Sequence, residues 1–408
     1  MTAESPTLDD PSKEACETAD KLIEQAKALN PLDGEVWAKE ALNDLHIIGL
    51  GYDRSPARMG NAAAAATRAM ELNPNSYAAR SAHAQVIHYV VAPPGGSSEA
   101  EHLLRELLSE NPNDLGNQIT LAHVLRSEGR FGEAADFCMK VNLPLLAAYI
   151  YLDAERFDKA NAAADQALKM KRSVMNLQCK ILMMQIAEDR NAALSLIDEI
   201  PPSAYTDDKI AEALASALLL YREPEKALKV LNSFPRDWMV TWTYSIPKAA
   251  YKGTAHMLAG RLDAARAEWN VALQQIERKL SDEPNNPVLL TEKASILAYL
   301  DQREEGARIL RLCQQLLGQD DKSVNLGNYV LLVTLGHRDD VITWLEDILK
   351  NQEREYYLVH SLVRFDFRFD SLRGDPRFEK LLRDTLPKYA KPFDEPVAKA
   401  APAPESGR

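Results

Sequence analysis

"GTAHMLAGRLDAARAEWNVALQQIERKL", residues 253 to 280, carries the spacing that decides the fold. Gly253, His256, Ala265 and Ala272 stand at offsets of zero, three, twelve and nineteen. Ala148, Tyr151, Ala160 and Ala167 repeat that series. Ala122, Leu125 and Ala134 repeat its first part, as do Ala215, Leu218 and Ala227. An offset of three keeps two residues on one helix face. A small residue on each side of a short turn lets two antiparallel helices approach closely, while larger neighbours fill the remaining holes.

Outside this stretch the chain is punctuated the same way. Three early runs end alike, in "KALNP", "MELNP" and "LSENP". Five, eight and twelve residues before each proline stand Ala26, Ile23 and Ala19; Ala69, Ala66 and Ala62; and Leu107, Leu104 and Ala100. Pro31, Pro74, Pro112, Pro144, Pro201, Pro235 and Pro284 each follow a helical run, as expected of a residue that cannot continue a helix. Apolar residues recur at three and four in "ADKLIEQAKAL" and "EHLLRELLSE", the amphipathic helical spacing. Period-two alternation of β-branched residues is hard to find, so the reading is all-α with no strands.

These residues resemble tetratricopeptide repeats, helix–turn–helix units of about 34 residues. The resemblance covers residues 13–350, about nine helical pairs on that template. It implies an α-solenoid, a superhelix of stacked antiparallel pairs closed by a C-terminal capping segment. "GLGYDRSPARM" (49–59) and "VAPPGGSS" (91–98) insert long turns. The pair near 173–199 fits the offsets poorly, and Gly306 and Val341 stand where alanine is usual. The array is also similar to the repeat regions C-terminal to catalytic or DNA-binding domains in bacterial signalling proteins: serine/threonine kinases, adenylate cyclases and winged-helix regulators. The start of the chain resembles the opening of such a region.

Composition narrows the class. The 408 residues are 46% hydrophobic and 26% charged, with a net charge of -12. That balance argues against nonspecific binding to nucleic acid or anionic membrane, both of which reward basic surface. No apolar run reaches the ~20 residues of a membrane span, and the N-terminus lacks a secretory pattern. The reading is a cytoplasmic chain. Cys16, Cys138, Cys179 and Cys313 are far apart and form no C-x-x-C pair, so buried thiols are expected, with no metal and no cofactor. Residues 1–12 and 388–408 are polar and rich in proline or alanine, and read as disordered.

The chemical motifs are false friends. His337-Arg338-Asp339 spells the kinase catalytic triplet, but Trp344 stands where the magnesium-binding asparagine belongs, and the triplet falls at a turn between helices. His83 and His88 are five apart and do not stack as zinc ligands would. Carboxylates on the helices read as a solvated face with partners at i, i+4. No enzyme is expected.

The expected function is that of a non-enzymatic adaptor binding a protein or peptide along the concave face, which the first helix of each pair lines. Projected register places His46, Gln85, His123, Arg126, Glu212, Ser216, Thr254, Met257, Thr291, Ser295 and Tyr299 there. The Lys and Asn pattern that holds a chaperone's C-terminal carboxylate is not reproduced. Trp238, Trp242 and Tyr244 lie in an irregular connection after Pro235 and form a second candidate contact. The alternative reading is a sensory module of a bacterial signalling system that binds a small ligand between repeats.

The doubled motif "FDFRFDSLRGDPRFEKLL" (365–382) is expected to belong to a C-terminal cap, residues 351–387. Asp, Arg, Phe, an acid and Leu recur nine residues apart in it. The resembling bacterial proteins close with a similar L-R-x-D-P-R-F segment; here Phe367 replaces the first proline of the doublet.

Overall fold

The structure is a computed structural model and describes residues 13–50, 53, 55–91, 98–154, 156–240, 245–317, 333, 336–351, 359–387 and 390. The expected disordered ends, apart from residue 390, lie outside these residues, as do Trp242 and Tyr244. The chain divides into two compact units, Met1–Ala167 and Leu168–Arg408. Each is an α-solenoid of antiparallel helix pairs.

Unit 1 opens with α1 (Lys13–Leu29). The pairs α2 (Gly34–Leu50) with α3 (Pro56–Leu72), α4 (Tyr77–Val86) with α5 (Ser98–Glu110), and α6 (Leu115–Ser127) with α7 (Phe131–Lys140) follow. Then comes α8 (Pro144–Asp153) with α9 (Phe157–Met170), whose last turn belongs to unit 2. Unit 2 continues with α10 (Val174–Ile186) and α11 (Arg190–Asp198), α12 (Asp208–Leu220) and α13 (Pro224–Ser233), α14 (Lys248–Leu258) and α15 (Leu262–Asp282), and α16 (Pro287–Tyr299) and α17 (Arg303–Leu317). It ends with α18 (Arg338–Asn351), α19 (Val359–Phe365), a 3-10 turn (Phe367–Leu372) and α20 (Pro376–Asp384).

The small-residue pairs sit where the helices cross. Ala122 and Ala134, Ala148 and Ala160, and Ala215 and Ala227 are all fully buried. Gly306 replaces alanine for a physical reason: a Cβ there would lie 3.0 Å from the backbone oxygen of Ala294 on the facing helix. The poorly fitting stretch near 173–199 is an ordinary pair, α10 with α11. Buried Ile181 stands twelve residues before buried Ala193, and that large residue in the small place hides the spacing.

Helix starts are fixed by side chains. Ser55, Ser76, Asp114, Ser173, Asp207 and Asn286 each accept a backbone N–H from the first turn they cap. Pro144 closes no helix; it opens α8 at the first turn, where its missing N–H costs nothing. Many charges also pair between helices rather than along them, as in Arg80–Glu110, Arg130–Glu101, Lys252–Glu268 and Lys293–Glu277.

The turn inside a pair is built the same way at six places. The second residue before the second helix has a left-handed backbone: Gly129, Glu188, Arg222, Gly260, Asp301 and Gly336, with φ between 57° and 92°. At the first five its N–H, and that of the next residue, close on carbonyls of the first helix, as in Arg222 N to Leu219 O (3.1 Å) and Glu223 N to Leu218 O (2.8 Å); at Gly336 the glycine N–H bonds back to Val333 O.

The stretch after Pro235 is not irregular. Trp238–Val240 (β1) and Ser245–Pro247 (β2) form an antiparallel ribbon pairing Trp238 with Pro247 and Met239 with Ile246. Three-residue strands are too short to show alternation, so period counting passes over them.

The C-terminal doublet is two copies of one device. Asp366 caps the 3-10 turn and Asp375 caps α20, each accepting the N–H of the arginine two residues on. That arginine then folds back on the same carboxylate: Arg368 Nε to Asp366 Oδ1 at 2.9 Å, Arg377 Nε to Asp375 Oδ1 at 3.3 Å. Phe369 and Phe378, and Leu372 and Leu381, are buried against the apolar side of α18. The segment's other side reaches back to earlier pairs, where Leu362 and Phe365 pack on the α10–α13 core.

Candidate functional site

In unit 1 the first helices α4, α6 and α8 bring several expected contacts together. Tyr77 Oη donates to Asp114 Oδ2 (2.9 Å) and accepts from Asn117 Nδ2 (3.0 Å). Asn117 Oδ1 accepts from Ser81 Oγ (2.9 Å) and from Gln85 Nε2 (3.3 Å). Gln85 is thereby held beside the last turn of α4, which widens into a π-helical turn, Ile87–Val91. Such turns interrupt the regular bond ladder and often mark functional positions.

That turn presents His88 and Tyr89. Their rings meet edge-on, with centroids 4.6 Å apart, and Tyr89 meets His123 of α6 in the same way at 6.2 Å. Arg126, one turn beyond His123, donates from Nε to Asp153 Oδ2 of α8 at 2.5 Å. Tyr149 stands on α8 where His123 stands on α6, each one residue past the small residue of its pair, and its ring is exposed.

Burial dominates the electrostatics of this face. Tyr89 is 44% exposed, yet burial of its hydroxyl end pushes its pKa up to about 12. His123 is lowered to about 4, by burial first and then by the nearby charges of Arg126 and His88. Burial lowers His88 as well. At neutral pH His123 is therefore uncharged, and Arg126 is matched by Asp153. The arrangement is an accessible set of rings with few net charges, suited to apolar or aromatic side chains and to the amide bonds between them. His46, on α2, is half-buried and lowered by burial.

The unit 2 candidates are spread over three first helices and mostly serve the fold. Glu212 accepts from Tyr251 Oη at 2.7 Å, tying α12 to α14. Thr254 and Ser295 give their hydroxyls to the carbonyls of Ala250 and Thr291 on their own helices. Thr291 Oγ1 faces the Cys313 sulfur on α17 at 3.8 Å, toward the second helix of its pair. Met257 packs against the α14–α16 core, and Tyr299 stacks on Trp269 with centroids 4.9 Å apart. Ser216 is exposed on α12.

Beside them lies a group absent from the sequence-derived set. Burial pushes the Glu292 carboxyl on α16 up to about 7, against the opposing pull of Arg368 from the C-terminal segment. Arg368 and Asp366 also act on Tyr299. Trp238, read from sequence as a loop contact, turns toward the α14–α16 core with Lys279 Nζ 4.7 Å above its ring.

The kinase-like triplet is spent on structure. Asp339 accepts from Arg377 Nη2 at 2.6 Å, and His337 lies 3.5 Å from Asp340. All four cysteines are buried thiols, with burial holding Cys138 up to about 12. Among the described residues no group of three or more His, Cys, Asp and Glu is placed to hold a metal ion, and no helix is long and apolar enough to cross a membrane.

Sequence reasoning missed His88, Tyr89 and Tyr149. Tyr149 was within reach, since it shares the position of His123. The π-helical turn breaks the 3.6-residue period, so nothing in the spacing announces His88 and Tyr89.

No family model matches the chain. No curated protein matches it. Among solved structures it is similar to the human IFIT1 dimer with m7Gppp-AAAA, at 11% identity over 92% of this chain and 88% of that one, with a TM-score of 0.37. It is also similar to Naa15/Naa10 bound to HypK-THB, at 14% identity over 91% and 78% of the two chains and a TM-score of 0.28. A third is the P58(IPK) TPR domain, at 14% identity over 79% and 98%, with a TM-score of 0.20.

Proposed function

We propose that the chain is a non-enzymatic scaffold of the cytoplasm that binds a protein through the first helices of unit 1. The observation that carries this reading is the Tyr89 ring, exposed to 44% and set edge-on between His88 and His123. An exposed aromatic group held between neighbouring rings loses little rotamer entropy on binding and offers a large apolar area, the chemistry of an interface anchor. Gln85, Asn117 and the neutral imidazole of His123 supply polar partners for a peptide backbone. The occupant is an extended or helical segment with an aromatic or aliphatic anchor.

The test is capture with cross-linking and mass spectrometry, comparing wild type with Tyr89→Ala/Arg126→Glu. Both side chains are accessible enough for the variant to keep its fold, which circular dichroism checks. The account predicts a stoichiometric protein, cross-linked to α4, α6 or α8, that the variant loses. A partner kept by the variant, or cross-linked elsewhere, contradicts it.

A second reading, the ligand-sensing repeat region of a bacterial signalling system, draws on the same enclosed rings. A saturable thermal shift with a metabolite and no protein partner distinguishes it.

A further inference from the structure

The six left-handed turns are not equivalent. Three are glycines, for which positive φ carries no steric cost. Asp301 tolerates that conformation better than most residues, and its side chain is exposed and turned to Arg303. Glu188 and Arg222 have no such excuse. Their long side chains stand where the fold uses glycine at equivalent turns, and strain of this kind persists where it serves a function.

Both side chains hold the C-terminal segment. The Glu188 carboxylate is fully buried and meets two groups of α19: His360 Nδ1 on one oxygen and Arg364 Nη1 on the other. His360 and Arg364 are four residues apart, so they share one helix face and straddle the carboxylate together. The other ring nitrogen, His360 Nε2, lies 2.9 Å from the carbonyl of Leu382, which ties α19 to α20. Arg222 donates through Nη1 to Asp370 Oδ2 at 2.8 Å and through Nη2 to Asp370 Oδ1 at 2.5 Å, a two-pronged pair. Between these anchors Tyr221 meets Phe365 edge-on at 5.6 Å. Partners 148 to 176 residues apart in sequence are joined here by charge, beside the apolar packing of Leu362 and Phe365 on the same core.

We propose that the turns carrying Glu188 and Arg222 form a docking site whose ligand is the chain's own segment Val359–Asp384, held in cis. The site recognises a short helix with His and Arg one turn apart, an aromatic ring following them, and an acid six residues past the Arg. A protein that engages unit 2 at these turns does so by displacing the segment. This inference does not depend on the unit 1 reading.

The experiment uses the full chain carrying His360→Ala/Arg364→Ala/Asp370→Ala, which removes the ligand's side of every anchor and leaves Glu188 and Arg222 intact. Hydrogen exchange is expected to run at least tenfold faster in Val359–Asp384. A labelled synthetic peptide of residues 359–387 then binds this variant saturably, at least tenfold more tightly than it binds wild type. Adding Arg222→Asp to the variant abolishes that binding. A peptide that binds neither protein overturns the proposal. So does a variant whose α10–α13 exchange rises with that of the segment and is not restored by peptide, because the segment is then an inseparable part of the core. A charge swap gives a milder check. Arg222→Asp and Asp370→Arg each speed exchange in the segment and together restore it; singles that leave exchange unchanged also overturn the proposal.

Discussion

Gly253 shows how much a single position carries. A Cβ added there would lie 2.3 Å from Trp269 Cδ1, so the indole occupies the space that a side chain would need. Trp269 in turn stacks on Tyr299 and is almost wholly buried, so it has nowhere to retreat. Gly253→Ala is expected to lower stability by about 1–3 kcal/mol, the usual cost of overpacking, with a lower Tm and a changed Trp emission. An unchanged Tm would show that the indole moves freely. Glu292 makes a prediction about pH. Its folded pKa, about 7, lies above the ordinary 4.5, so the folded state holds the extra proton between those values. Stability from this group is present below pH 4.5 and lost as pH rises through 7. Glu292→Gln therefore raises stability at pH 8, by on the order of 1–3 kcal/mol, read as a higher Tm, and changes little at pH 4. His123 acts in the opposite sense, since a folded pKa of about 4 below the ordinary 6.5 means that stability grows as pH rises through that window. Small residues such as Gly253 were legible in the sequence because the template repeats them. The shift at Glu292 was not, because it comes from burial, which spacing along the chain does not report.

Helices, their pairing and the crossing residues could be read from spacing because each rests on local rules: a cap, a face and a small residue at a fixed offset. The turns could have been read further. Aligning Glu188 and Arg222 with Gly129 and Gly260 shows two long charged side chains in a glycine's place, a signal visible without any structure. What they bind was out of reach, since nothing local connects residue 188 to residue 360. The C-terminal doublet was legible as a repeat of nine, and its cause is now plain: two capping aspartates, each clamped by the arginine two residues later. Asp375→Ala removes the cap of α20 and leaves Arg377 with only Asp339 of its acceptors. The expected loss is about 1 kcal/mol, read as a lower Tm and faster exchange in Pro376–Asp384. Equal exchange in the variant would deny the cap its role. The ribbon at Trp238 escaped because three residues are too few to establish a period of two.

At the scale of the molecule, the face expected along all the first helices divides into unlike parts. In unit 1 the expected Gln85, His123 and Arg126 gather around rings that remain accessible. In unit 2 the hydroxyls of Thr254 and Ser295 turn back on their own helices, Tyr299 stacks into the core, and the C-terminal segment packs on the α10–α13 core and its turns, with Arg368 acting on Glu292 and Tyr299 of α16. Projection by register alone could not separate them. It assigns a position to each residue, while accessibility depends on what else the chain brings to the same place. The central claim is that unit 1 presents the binding face. Its most direct test is hydrogen exchange of the full chain with and without the captured partner. The account predicts slower exchange in Ile87–Val91 and Leu115–Ser127 on binding, with Val359–Asp384 unchanged. Protection confined to unit 2, with α4 and α6 exchanging as before, would contradict it.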